Sequence, residues 1–270
     1  MTMNPVEQFY DHHSEQEWGR LTRHRMEFAV TQRALTAYLP APPAAVADIG
    51  GGPGRYAIAL AEAGYQVTLL DLSRQNLVLA QEKVAAEGVS LAGMICGNAL
   101  HLPLAAAQYD AVLLFGPLYH LLHVEERETA VSQAYTILKP GGLLFASFIT
   151  RFAPFRDMAA KGYPTWLLDH APRAAHLLET GQNPAMPGND FPNSYFAHPD
   201  EIRPLLESQG LTTLALIGCE GVLAGHEQHI NELQGDLWEQ WVDLNYRFGH
   251  EPTLYGAADH LLYIGRKGAG

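Results

Sequence analysis

Apolar and polar positions follow two alternating rhythms along most of this chain. Short apolar runs at 46–49, 66–71, 89–95, 109–115 and 143–150 have the length of buried strands. The stretches between them, at 56–63, 73–87 and 124–138, repeat apolar residues at helical spacing. Ser73 suits the cap of the second of these helices, and Gly64 and Gly88 suit the stops of the first two. Lys139-Pro140-Gly141-Gly142 should end the third and turn the chain back into the sheet. Strict alternation of buried strands with helices predicts a parallel sheet.

The flanks differ. Residues 4–39 read as helix, opened by Asn4 and Pro5, with a break expected near 11–14 and an end at Pro40-Ala41-Pro42-Pro43. From 151 to 200 the rhythm fails, because Pro154, Pro164, Pro172, Pro184, Pro187, Pro192 and Pro199 disfavour long regular elements. Phe152, Phe155, Tyr163, Trp166, Phe191, Tyr195 and Phe196 accumulate there beside Arg151, Arg156 and Arg173, so this segment is the expected recognition surface. A helix from 199, strands at 211–218 and 261–266, and a helix within 225–250 complete the chain. The expected organisation is therefore an N-terminal helical lid (1–43), a core (44–150), a cap insertion (151–200), and the end of the core sheet (201–270) with its helical insertion (225–250).

Composition narrows the function classes. The 270 residues are 47% hydrophobic, and no apolar run approaches the roughly 20 residues of a membrane span. The first residues lack the charged-then-apolar pattern of a signal peptide. Cys96 and Cys219 are too few and too far apart for a disulfide framework, so a reducing cytoplasm is expected. With 29 acids against 17 bases, the formal charge is −12. Nucleic-acid surfaces are usually basic, so neither a nucleic acid nor a membrane is the expected partner. A small molecule is, with the chain a monomer or homodimer.

The chemistry concentrates at Asp48-Ile49-Gly50-Gly51-Gly52-Pro53-Gly54-Arg55, between the first strand and the first core helix. Glycines let the backbone turn sharply and approach a ligand. A dinucleotide fingerprint G-x-G-x-x-G would need glycine where Arg55 stands, and Pro53 removes one N–H donor from the turn. Asp71 ends the second strand 17 positions after Gly54, the place of a ribose-hydroxyl ligand in Rossmann-like sites. The pattern Asp48-x-Gly50-x-Gly52-x-Gly54 resembles motif I of the class I S-adenosylmethionine-dependent methyltransferases. Leu138-Lys139-Pro140-Gly141-Gly142-x-Leu144 is a second point of resemblance, and together they cover residues 46–150.

The resemblance implies an α/β, Rossmann-like, doubly wound seven-stranded sheet, mostly parallel with an antiparallel last strand. It implies S-adenosyl-L-methionine as cofactor and S-adenosyl-L-homocysteine as product. Asp48, Gly50, Gly52 and Gly54 would hold the amino-acid end, Asp71 the ribose, and Asn98 and Ala99 the adenine, with Leu72 also on the cofactor. Asn98 stands where the family usually has Asp; its amide oxygen still accepts a hydrogen bond, and a plain turn residue is the other reading. Phe115 and Gly116 would line the sulfonium side. Tyr10 and Arg20 would reach the cofactor from the lid, or else belong to an amphipathic helix packed on the sheet. Ligands bind at the carboxyl ends of the strands, which makes Tyr119 and His120 the nearest candidate catalytic groups, with Tyr119, Arg151 and Tyr195 toward the substrate. His120 reads as a general base or as a histidine bonded to backbone. The histidine pairs have no ligand spacing, so no metal is expected. The chain is expected to methylate a small molecule at N, O, S or C, mainly by alignment. A nicotinamide-dependent oxidoreductase and a non-catalytic cofactor-binding regulator are the alternatives.

Overall fold

A computed structural model describes residues 4–160, 165–185 and 192–269. Three helices come first: α1 (Pro5–Trp18), α2 (Arg20–Arg23) and α3 (Arg25–Tyr38). The core then runs β1 (Ala45–Ile49), α4 (Arg55–Glu62), β2 (Gln66–Asp71), α5 (Arg74–Glu87), β3 (Gly93–Cys96) and β4 (Tyr109–Leu114). A 3-10 turn (Pro117–His120), α6 (Val124–Ile137) and β5 (Leu138–Ile149) follow. Next come α7 (Ala153–Ala160), α8 (Trp166–Thr180) and a two-residue ribbon, β6 (Gln182–Asn183) with β7 (Ser194–Tyr195). The chain ends with α9 (Pro199–Ser208), β8 (Leu211–Gly218), α10 (Glu227–Asn231), α11 (Gly235–Gly249) and β9 (His260–Lys267).

Seven strands form one sheet in the order β3-β2-β1-β4-β5-β9-β8. β1 to β5 are parallel, and β9 runs antiparallel to both β5 and β8. This is the expected doubly wound sheet. Side chains alternate between its faces. Ala47, Ile49, Leu70, Val112, Leu114, Leu144 and Ala146 pack toward α6 and α9 through Ala130, Val131, Ala134, Ile202 and Leu206. Val46, Leu69, Leu113, Phe145, Ile217 and Leu262 pack toward α3, α4 and α11 through Met26, Val30, Ala34, Ala57, Leu60 and Val242.

Local chemistry explains the element boundaries. The Asn4 side chain accepts from the Val6 amide, with Pro5 in the first turn of α1. Ser73 accepts from the Asn76 amide at the start of α5, and Gly88 ends it at φ 68°. The break expected near 11–14 falls at His13, whose φ and ψ are non-helical.

Four expectations are corrected. β3 is shorter than the apolar run and starts at Gly93, because it is an edge strand paired only with β2. β5 already begins at Leu138: Lys139-Pro140-Gly141-Gly142 is a register irregularity inside the strand, with Lys139 Nζ 2.8 Å from both carboxylate oxygens of Asp110. The prolines of 151–200 do not prevent helix. α8 runs through Pro172 because a kink at His170 puts that proline into a new first turn, where its missing N–H costs nothing. The helix expected within 225–250 is two, α10 and α11. Tyr163, Pro164, Pro187 and Phe191 lie outside the described residues.

Candidate active site

A cavity of about 400 Å³ opens at the carboxyl ends of the parallel strands. Its walls come from one face of the sheet, by strand periodicity. Asp71 shares the face of Leu69, Phe115 that of Leu113, Ser147 that of Phe145, Cys219 that of Ile217, and His260 that of Leu262, while Asp48, on the face of Val46, lies buried behind the wall. The N-terminal helices add Tyr10, Glu17, Arg20, Glu27 and Thr31.

One end is built by the glycine turn. Asp48 is fully buried; among the described residues its carboxylate oxygens make no hydrogen bond of full geometry, and the Ala57 amide alone eases its charge. Burial, with the charge of Asp71, pushes its carboxyl up to about 7. A Cβ on Gly51 would fall 2.4 Å from Asp48 Oδ2, so only glycine fits over this carboxylate. Gly51 falls at an x position of the Asp48-x-Gly50-x-Gly52-x-Gly54 pattern, so the pattern gives it no role. Gly50 turns at φ +73° with Pro117 against it, and Gly52 and Gly54 also have positive φ.

Asp71 bridges this turn to α5. Its Oδ2 accepts from the Gly52 amide at 2.8 Å, and its Oδ1 accepts from Ser73 N at 2.9 Å and Asn76 Nδ2 at 3.2 Å. Burial raises its carboxyl to about 6 against those hydrogen bonds. Leu72 and Ala99 line the wall beyond it. Asn98 does so too, but its side-chain oxygen accepts from Leu100 N at 2.9 Å, the turn role.

Tyr119 and His120 sit across from the glycines. The Tyr119 hydroxyl, next to Gly116, has no hydrogen-bond partner among the described residues, and burial raises its pKa. His120 Nδ1 donates to the Asn193 carbonyl at 3.1 Å, which leaves Nε2 to accept from the Tyr10 hydroxyl at 2.8 Å. Burial pulls the imidazole down to about 4, so it is neutral at pH 7.

The other end is an alternating row of charges that sequence reading missed. Arg20 lines the cavity, but its guanidinium is taken by the protein's own carboxylates: Glu17 at 3.0 Å and both oxygens of Glu27 at 2.7 and 3.1 Å. His260 Nδ1 lies 2.5 Å from Glu220 Oε1 and 3.6 Å from Glu27 Oε2. Burial opposes the charge on Glu27, yet Arg20 and His260 hold its carboxyl down at about 2. Burial likewise opposes the imidazolium, yet Glu27 and Glu220 raise His260 to about 9. Glu27, Glu220 and His260 bring one donor atom each within 4.8 Å of one another. With Arg20 on Glu27 and His260 on Glu220, those atoms are engaged as ion pairs rather than open to a metal. The visible signal was Glu27 amid the apolar stripe Met26, Val30, Ala34 and Leu35 of α3.

Arg151 and Tyr195 do not reach this cavity. Arg151 is buried, pairs with both oxygens of Glu201 at 2.7 and 2.8 Å, and points at the carbonyls of Leu178, Glu179 and Phe196. The Tyr195 hydroxyl donates to Glu201 Oε2 at 2.5 Å, and its ring packs under Arg127 on the opposite face of the sheet. Arg156 is held by Asp259, and Arg173 by Asn183. These cations of 151–200 join segments of the fold together.

The donor set fits S-adenosylmethionine. Asp71 puts a carboxylate on the cavity where a diol can donate to it, and Gly50, Gly51 and Gly52 line the cavity so that a ligand can approach the backbone. Residues 46–142 match the family model described as a methyltransferase domain. The chain is 33% identical over 174 residues to a malonyl-[acyl-carrier protein] O-methyltransferase of Enterobacter lignolyticus, covering 60% of this chain and 61% of that one. It is 33% identical over 110 residues to a tRNA 5-carboxymethoxyuridine methyltransferase of Escherichia coli, covering 38% and 39%. The chain thus spans about half the length of the curated relatives it matches. An S-adenosylmethionine-dependent methyltransferase structure from Methanosarcina mazei superposes with a TM-score of 0.61 at 18% identity, over 88% of this chain and 98% of that one.

Proposed function

We propose that this chain, whose residues 46–142 match the methyltransferase-domain model, is a class I S-adenosylmethionine-dependent methyltransferase that methylates a small-molecule acceptor held between the N-terminal helices and the β5–β9 side of the sheet. The observation that carries the reading is Asp71, which lines the cavity with its Oδ2 on the Gly52 amide of the glycine turn, beside Asp48 buried beneath Gly51. Asp48 answers an ammonium group, and Asp71, released from the Gly52 amide, answers a ribose diol. Leu72, Asn98 and Ala99 border the adenine, and Phe115 and Gly116 border the methyl group. The cofactor supplies a methyl group already activated on a sulfonium, so the protein's work is alignment and exclusion of water.

Tyr10 and Arg20 serve as closing groups. Asp11 accepts from Ser73 Oγ at 2.6 Å, and Trp18 lies between Arg55 and Lys83, so α1 is pinned over the turn. Arg55 stands where a dinucleotide site needs glycine, against the rings of Trp18 and Phe28. This disfavours a nicotinamide oxidoreductase. The net charge of −12 supports a small acceptor over a nucleic acid. The malonyl-[acyl-carrier protein] and tRNA relatives bracket the range of acceptors to screen.

Calorimetry with S-adenosylmethionine, S-adenosylhomocysteine and NADH tests this reading. Micromolar binding of the first two, weakened at least 30-fold by Asp71→Ala, is expected from about 2 kcal/mol of charge-assisted hydrogen bonding. Binding of NADH alone overturns it.

A further inference from the structure

We propose that the methyl acceptor is held through a carbonyl or carboxylate oxygen, which accepts hydrogen bonds from the Ser147 hydroxyl and from ring Nε2 of His260. This names the substrate class of the methyl-transfer reading and rests on it.

Strand β5 gives the first signal. Leu143, Leu144, Phe145, Ala146 and Phe148 are buried and apolar. Ser147 interrupts them, lines the cavity, and its hydroxyl makes no hydrogen bond with a described residue. That hydroxyl is free to bond whatever enters. The sheet register places it. Leu114 pairs with Ala146, so Ser147 lies beside Phe115, one strand spacing of about 4.8 Å from the residue proposed to border the methyl group. Ser147 also pairs with Leu262, and His260, two residues along β9, takes the diagonal position on the same face, roughly 7–8 Å away. Side chains at that separation can share one oxygen, or the two oxygens of one carboxylate.

The charges of this end explain why an oxygen suits it. Glu220 grips His260 twice: Oε1 lies 2.5 Å from ring Nδ1 and Oε2 accepts from the backbone amide at 2.8 Å. Nδ1 is therefore committed, while Nε2 makes no hydrogen bond with a described residue. With Glu27 and Glu220 beside it the ring stays protonated at pH 7, so Nε2 carries a proton to donate. Both oxygens of Glu27 are taken by Arg20, and both of Glu220 by His260. Glu17, with one oxygen on Arg20, packs over Gly52 at the cofactor end. An ammonium would therefore find spent carboxylates here and two cations. An oxygen finds donors, and holding it aligns a neighbouring nucleophile with the methyl group. Leu21, Tyr56, Phe115 and Leu262 make the walls apolar, which suits a ring.

The test is calorimetry on the S-adenosylhomocysteine complex of the full chain with acetophenone, benzoate and benzylamine. Ring probes of about nine non-hydrogen atoms should bind at about millimolar affinity. At least one of the two oxygen probes is expected to bind more tightly than benzylamine. Acetophenone as the tighter of the two identifies a carbonyl, and benzoate a carboxylate. Ser147→Ala and His260→Gln should each weaken that probe about two- to tenfold, the loss of one hydrogen bond. Their S-adenosylhomocysteine affinity should stay within about twofold, and Ser147→Ala decides alone if His260→Gln does not fold. Tighter binding of benzylamine overturns the proposal. So does absence of binding by both oxygen probes at about 10 mM, weaker than probes of this size should need. Binding that a folded variant leaves unchanged overturns it as well. Failure of S-adenosylhomocysteine to bind the native chain overturns the methyl-transfer reading instead.

Discussion

The two ends of the cavity are made in different ways. The end proposed for the cofactor is local: a glycine turn, two strand-end carboxylates and the start of α5, nearly all within residues 48–76. The end proposed for the acceptor is side chains drawn from far apart, with Glu17, Arg20 and Glu27 from the N-terminal helices meeting Glu220 and His260 from the last hairpin. The first end tolerates almost no change of shape. The second is a row of charges that hold one another's ionisation in place, so variants there should alter titration and stability before they alter cofactor affinity.

Gly51→Ala breaks this comparison most severely if it is wrong. The new Cβ would lie 2.4 Å from Asp48 Oδ2 and 2.5 Å from Leu69 Cδ1, both buried. Overpacking of this kind costs about 1–3 kcal/mol of stability. Displacing Asp48 should also reduce S-adenosylhomocysteine affinity by about 100-fold or more in calorimetry. Unchanged affinity would show that the turn is not a rigid cradle.

Asp48→Asn sharpens the same point with effects of opposite sign. Affinity should fall roughly 10- to 50-fold, the loss of a charge-assisted contact. Stability should rise. Burial holds the folded carboxyl at about 7, above its unfolded value of 3.8, so ionising it costs stability increasingly as pH climbs from 3.8 through 7. The variant should therefore melt higher than the native chain at pH 8 and almost equally at pH 4. Native affinity should rise between pH 5.5 and 7, with protons released on binding.

At the acceptor end, Glu27→Gln keeps the side-chain shape but removes the carboxylate shared by Arg20 and His260. An expected loss of about 1–3 kcal/mol should appear in denaturant unfolding at pH 7. Cofactor affinity should stay within about twofold. His260 sits at about 9 when folded and 6.5 when unfolded. Its pairing therefore stabilises fully below 6.5 and fades as pH rises through 9. The gap between native and variant should shrink over that window, and a gap constant to pH 10 would deny the pairing.

The same contrast explains what the sequence disclosed. The turn, Asp71, the Ser73 cap and the alternation of strands and helices are local, so a run of neighbouring residues carries each of them. β8 and the start of α1 were legible for the same reason. Glu17, Glu27, Glu220 and His260 have no common local signature, and only the antiparallel return of β9 beside β5 brings them together. Arg151 and Tyr195 were placed at the substrate on composition alone. Their partner, Glu201 in the first turn of α9, is 50 residues from Arg151 in sequence and invisible to such reading.

Tyr10→Phe carries the smallest expected effect and probes the one helix that touches both ends. On α1, Asp11 reaches Ser73 Oγ and the Gln75 amide beside the cofactor turn, while Tyr10 donates to His120 across the cavity. The two grips are one residue apart, so they report on the same turn of helix. Deleting one neutral hydrogen bond costs about 0.5–1.5 kcal/mol, which corresponds to a two- to tenfold weaker S-adenosylhomocysteine affinity if α1 closes over the ligand. Hydrogen exchange should rise in α1 and not in α3, because α3 is anchored through Met26, Val30 and Leu35 in the core. Equal exchange in both helices would mean that Tyr10 is a passenger and that Asp11, with Trp18 between its two cations, holds α1 by itself.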